Sequence, residues 1–95
     1  MKPIVTINGA WSEQDNAWVS ETLCLTGDCW LEVTLPSKGR MVIKKSETAD
    51  GPWPKALISN WTGPDFRIRI YGTTEGRYIR IYLTETPDSI QIANI

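Results

Sequence analysis

Phe66-Arg-Ile-Arg-Ile-Tyr71, Gly72-Thr-Thr-Glu-Gly76 and Arg77-Tyr-Ile-Arg-Ile-Tyr-Leu83 decide the fold class of this chain. Phe66, Ile68 and Ile70 alternate with Arg67, Arg69 and Tyr71, and Ile79, Ile81 and Leu83 alternate with Tyr78, Arg80 and Tyr82. A period of two gives each segment one apolar and one polar face, the signature of a half-buried β-strand. The Gly-containing stretch between them predicts a hairpin in which Ile70 meets Ile79 and Ile68 meets Ile81, with residues 73–76 as the loop. That register sets Tyr71 opposite Tyr78, Arg67 opposite Tyr82 and Arg69 opposite Arg80. Like charges directly across a ladder are mildly unfavourable. They are tolerated where the cations spread over neighbouring aromatic rings, or where an anionic partner sits between them.

The same period extends through the rest of the chain. Cys29, Leu31, Val33 and Leu35 share one face, with Trp30, Glu32 and Thr34 on the other, and Pro36-Ser-Lys-Gly39 turns the chain into Arg40–Ser46. Pairing Leu35 with Met41 and Val33 with Ile43 also opposes Glu32 to Lys44, which predicts a second hairpin. Further strands are expected at Ile4–Ile7, Trp18–Leu25, Lys55–Trp61 and Ser89–Ile95, with turn chemistry at Asn8-Gly9 and Thr86-Pro-Asp88. In the Trp18–Leu25 strand the apolar face is read as Val19, Leu23 and Leu25. Glu21 then falls in phase with it, so either a bulge turns it outward or it is a partly buried carboxylate needing a partner. Residues 47–65 hold long loops around Gly51-Pro-Trp-Pro54 and Thr62-Gly-Pro-Asp65. About seven strands, short turns and no significant helix predict an all-β, antiparallel β-sandwich of immunoglobulin-like or jelly-roll type, with a small barrel as the alternative.

At 95 residues the chain suits a single sandwich domain over 1–95, with one core and its function on the surface. Ten Lys plus Arg against eleven Asp plus Glu give a formal charge of −1, which offers no global field to steer nucleic acid. No run of residues is long and apolar enough to span a bilayer, and Met1–Ile7 lacks a signal-peptide core, so a soluble protein is expected. Cys24 and Cys29 are read as free thiols, with Cys29 a small core residue and Cys24 pointing away. On this reading Leu25 opposes Cys29 across the Thr26–Asp28 loop, and a disulfide is the lesser alternative.

Histidine is absent, and so are nucleophile elbows, phosphate loops and zinc spacings. A paired-carboxylate hydrolase would need a cleft that one small core rarely supplies. The chain is therefore expected not to be an enzyme and to carry no catalytic, metal or cofactor residues. Oxygen ligands at Ser46, Glu47, Thr48, Asp50 and Asp65 fit no calcium-loop spacing, and Asn60-Trp-Thr62 is a bare three-residue glycosylation match.

Four of the five arginines and all three tyrosines lie between Phe66 and Leu83. Arg67, Arg69, Tyr71, Tyr78, Arg80 and Tyr82 are thus the candidate partner-binding residues, since Arg and Tyr are enriched at protein interfaces. Trp11, Trp53 and Trp61, in loops or at strand ends, are the candidates for glycan stacking, with Trp53 stiffly held between two prolines. Together these features predict a non-catalytic structural or interaction protein that docks on or decorates a larger assembly, such as a virion or surface complex, with a homo-oligomer included among such assemblies. A carbohydrate-binding module is the alternative. Nucleic acid is disfavoured by the acidic balance, and no membrane partner is implied.

Overall fold

The computed structural model describes residues 4–24, 27–53, 55–70 and 78–94, and at 4, 55, 57–62 and 94 the description is confined to the backbone. Ten strands follow in order: β1 (Ile4–Thr6), β2 (Gly9–Ser12), β3 (Ala17–Ser20), β4 (Leu23–Cys24), β5 (Cys29–Thr34), β6 (Gly39–Ser46), β7 (Lys55–Thr62), β8 (Asp65–Ile70), β9 (Tyr78–Leu83) and β10 (Ser89–Asn94). All pair antiparallel, in two sheets. Sheet A runs β1-β10-β5-β8, and sheet B runs β2-β3-β9-β6-β7 with β4 also beside β9. Among the described residues there is no helix, and so none long and apolar enough to cross a membrane.

The pairing is that of a ribbon wound around a core. β1 pairs with β10, β3 and β4 with β9, β5 with β8, and β6 with β7. Successive pairs fall alternately in sheet A and sheet B, which is jelly-roll winding and not the immunoglobulin order. The β6–β7 hairpin is the tip of the ribbon. β2 and β3 form an extra hairpin at one edge, closed by a turn in which Asn16 takes φ 50° and the Asp15 N–H donates to Ser12 Oγ at 3.2 Å.

This winding overturns both expected hairpins. β8 belongs to sheet A and β9 to sheet B, so Ile68 pairs with Leu31 and Ile70 with Cys29, while Ile81 pairs with Ile43 and Ile79 with Leu23 and Lys45. Likewise β5 and β6 lie in different sheets. Val33 opposes Phe66 and Ile90, Met41 opposes Leu83, and Glu32 opposes Arg67 in place of Lys44. The physical reason is the same in both cases. Period two fixes which face of a strand is apolar, but two apolar faces can meet across a sandwich core as well as side by side in a ladder. Ile70, Ile79 and Ile81 do meet, from opposite sheets, in one buried cluster with Leu31, Val33, Met41, Ile43 and Leu83, against which Ile68 packs. β4 and β5 also lie in different sheets, and Cys29 opposes Ile70 and Asn94. Leu25 lies outside the described residues.

The second expected strand is broken and phased differently. Trp18 and Ser20 are buried, Val19 faces outward, and pairing with β9 lapses between Val19 and Leu23. That irregularity shifts the phase by one residue, so Leu23 packs on the core while Glu21 stays exposed on Val19's side. The Glu21 carboxylate accepts from the Asn8 N–H at 3.2 Å, and the Glu21 N–H donates to the Asn8 carbonyl at 2.8 Å. Gly9 fits the Trp18 indole. A Cβ there would lie 2.3 Å from Trp18 Cζ2 and 2.6 Å from the Val19 carbonyl oxygen, and neither the buried indole nor the strand backbone can give way without shifting β3.

Both cysteines are free thiols, Cys24 exposed and Cys29 wholly buried. Burial, reinforced by the Asp28 charge, raises the Cys29 thiol from 9.0 to about 11. A neutral thiol at pH 8 is a poor nucleophile. Alkylation of the native chain at pH 8 is therefore expected to stop at one adduct, on Cys24, with the second appearing only in denaturant; mass spectrometry reads the count. Two rapid adducts on the folded chain would contradict the buried placement of Cys29.

Candidate interaction surfaces

The described Arg and Tyr candidates do not share a surface. Arg67 and Arg69 lie on the outer face of sheet A, and Tyr78, Arg80 and Tyr82 lie on the outer face of sheet B. Tyr71 is outside the described residues. The chain is a slab with principal extents of 34 × 33 × 20 Å, so the two sets look away from each other across its thin dimension. The expected Arg69–Arg80 opposition does not occur: Arg69 faces Trp30, and Arg80 faces Lys44.

On sheet A, Arg67 stands opposite Glu32 and reaches diagonally over Trp30, with its guanidinium 4.2 Å from the ring centroid. Its Nε lies 3.2 Å from Glu32 Oε1. Arg69 Nη2 donates to Asp28 Oδ2 at 2.9 Å. Exposed pairs of this kind add little stability. What they do is hold two long side chains in fixed positions and neutralise them locally, around the half-buried Trp30.

Sheet B repeats the motif with a different charge balance. Lys44 reaches diagonally over Tyr82, 4.8 Å from its centroid, and Arg80 lies 4.8 Å over the Trp53 ring while its Nε donates to Thr22 Oγ1 at 3.0 Å. Lys44 and Arg80 are themselves cross-strand neighbours. This is a like-charge pair, splayed apart onto two aromatic rings. The penalty of roughly 0.2–1 kcal/mol for such a pair is of the same size as the roughly 0.5–1 kcal/mol from each exposed cation–ring contact. Beside the pair, Val19, Tyr82 and Val42 form a row across β3, β9 and β6.

The tryptophans are dispersed. Trp11 is exposed at 42% on β2, opposite the buried Trp18, so it shares the inward-facing side of sheet B at its edge. Trp53 is folded over the outer side of that sheet, above Arg80 and against Gly51, whose φ of 90° and missing side chain admit the indole. Its Nε1–H is buried and has no hydrogen-bond partner among the described residues. The half-buried ring is thus packed against Gly51 and Arg80. Trp61 falls in β7 opposite Arg40, and its side chain lies outside the described residues.

Shallow troughs mark both faces. One of about 380 Å³ on sheet A includes Glu32, Asp65, Arg67 and Gln91, and one of about 240 Å³ on sheet B includes Asp15, Val42, Lys44 and Tyr82. Ligand pockets usually hold about 300–1,000 Å³ and enclose what they bind. The sheet B trough falls below that range, and both are open to solvent along the sheet surface. Among the described residues no three of His, Cys, Asp and Glu gather as a metal site. Of the oxygen ligands considered for calcium, Ser46 is buried with its Oγ accepting from the Thr48 N–H, Thr48 Oγ1 donates to the Gly51 carbonyl, and Asp65 lies in the other sheet.

Trp30, Lys44 and Val42 are the surface residues that reading the sequence for sites missed. Each alternates outward in its strand, but only the strand order shows that Trp30 sits beneath Arg67 and that Lys44 neighbours Arg80. Compared with known proteins, the chain gives no significant match to a family model, a curated protein or a solved structure.

Proposed function

We propose that this chain is a non-catalytic interaction protein that is held in a larger assembly by both of its outer faces, as a virion or surface decoration would be. One observation carries the reading. Each broad face of a slab about 20 Å thick presents a cation stacked on an aromatic ring, Arg67 on Trp30 and Lys44 on Tyr82, with a second cation beside it, Arg69 and Arg80 respectively. Pre-positioned aromatic and Arg side chains are what interface hot spots are made of, and holding them rigid lowers the entropy cost of docking. Placing them on opposite faces suits a protein that sits between neighbours.

The test is sedimentation of the native chain from its source, with and without face-directed changes. A complex far larger than 10.7 kDa is expected, weakened by Arg67→Ala on one face and by Tyr82→Ala on the other. A monomer at every concentration, or a complex indifferent to both changes, would sink the proposal. The glycan reading has less support, because Trp11 and Trp53 lie on opposite sides of sheet B. The jelly-roll winding favours neither, being common to capsid and lectin domains.

A further inference from the structure

The two faces differ in how their cations are compensated. On sheet A, Arg67 and Arg69 each meet a carboxylate of the chain itself, from Glu32 and Asp28. On sheet B, Lys44 and Arg80 are adjacent, and among the described residues they contact the rings of Tyr82 and Trp53 and the hydroxyl of Thr22, with no carboxylate. Asp15, which also lines the sheet B trough, accepts from the Ser12 hydroxyl at 2.9 Å. Among the described residues this face therefore carries an adjacent pair of cations with no carboxylate bonded to either.

We propose that the Lys44–Arg80 pair receives a carboxylate from an acidic, extended segment of a partner protein, whose apolar side chain two residues on packs on the Val19–Tyr82–Val42 row. This deepens the proposed function by naming the chemistry of one of the two neighbours, and it rests on that reading. The spacing follows from the strands. The cation row and the apolar row are two residues apart along β6 and β9, roughly 7 Å at the rise of a strand, and an extended partner repeats its side chains on one face at that same interval.

Two competing occupants fit less well. A single-stranded nucleic acid would need several phosphate contacts and bare rings for its bases. Here, among the described residues, the cations of the face that meet no carboxylate are Lys44 and Arg80, Lys44 covers the Tyr82 ring, and the chain as a whole is negative. A second copy docking through sheet A would offer Glu32 and Asp28, which are already engaged by Arg67 and Arg69, and Asp65, which shares its trough with Arg67.

The experiment is an amide NMR titration of the full chain with a capped five-residue peptide carrying glutamate two positions before leucine. The same titration is run with the glutamine analogue and with oligothymidine. Shifts are expected at Val19, Val42, Lys44, Arg80 and Tyr82, with affinity at least fivefold weaker for the glutamine peptide. Lys44→Gln should erase that difference while leaving the remaining spectrum folded. Changing the peptide keeps the result independent of whether any variant folds. Equal affinity for the two peptides, no binding of either at millimolar concentration, shifts on sheet A, or tighter binding of oligothymidine would each overturn the inference. If the chain still enters its large native complex in that event, the two-faced reading survives and only the acidic partner is lost. A chain that is always monomeric loses both.

Discussion

Ile81→Ala is expected to lower the stability of the fold by about 2–5 kcal/mol, the cost of opening a cavity in a packed core. Ile81 has no exposed surface and lies in β9, the strand that β3, β4 and β6 all flank. It packs in the cluster where the two sheets meet, beside its ladder partner Ile43. A small domain is stable by roughly 5–15 kcal/mol in total, so this one change removes a large share. Urea unfolding should show a lower midpoint at unchanged slope. Val5→Ala, at a residue 54% exposed on edge strand β1, should stay within roughly 0.5 kcal/mol of the parent. A loss below 1 kcal/mol at Ile81 would mean that β9 is not the centre of the core.

The second large effect comes from a hydroxyl. Where β3 breaks into β4, ladder pairing with β9 stops after Val19 and resumes at Leu23. The Ile81 N–H, which lies in that gap, donates to Ser20 Oγ at 2.8 Å, and the same hydroxyl donates to the Glu21 carbonyl at 2.8 Å. Ser20 is buried, so its side chain replaces a missing strand. Ser20→Ala leaves a buried donor without a partner, at a cost of about 1–3 kcal/mol. Hydrogen exchange locates the defect: the Ile81 amide should lose protection more than the stability change alone explains, while the Leu83 amide, which faces Trp18 where the β3 ladder is intact, should not. Equal loss at both amides would show that Ser20 acts only through global stability.

Ser20 also explains why the residue pattern of this strand points to the wrong face. Its polar side chain shares the inner face with Trp18, so Val19, Glu21 and Leu23 look like the apolar set with one intruder. The structure puts Trp18 and Ser20 inside, and the one-residue slip then restores Leu23. Alternation elsewhere was legible: the apolar faces of β5, β6, β9 and β10 and the all-β sandwich follow directly from it. Partnership was not. Glu32 opposite Lys44 and Glu32 opposite Arg67 are equally good charge matches on paper, and only the winding of the ribbon selects the second.

The same ambiguity governed the site. Arg67, Arg69, Arg80 and Tyr82 were recognisable as outward-facing and interface-like, but a hairpin would have gathered them on one surface. The structure divides them between two. The physical reasoning about like charges nevertheless transfers to the pair that exists, because Lys44 and Arg80 are spread over rings as adjacent cations must be. β2 was invisible, since Gly9–Ser12 has no apolar alternation and is held by pairing with β3 and by the Trp18 indole against Gly9.

Hydroxyl-radical footprinting of the chain in its native assembly, compared with the isolated chain, tests the two-faced account most directly. Trp30 on sheet A and Tyr82 on sheet B should be protected together, while Trp11 at the edge of sheet B keeps its labelling. Unchanged labelling at both Trp30 and Tyr82, or protection on one face alone, would contradict it.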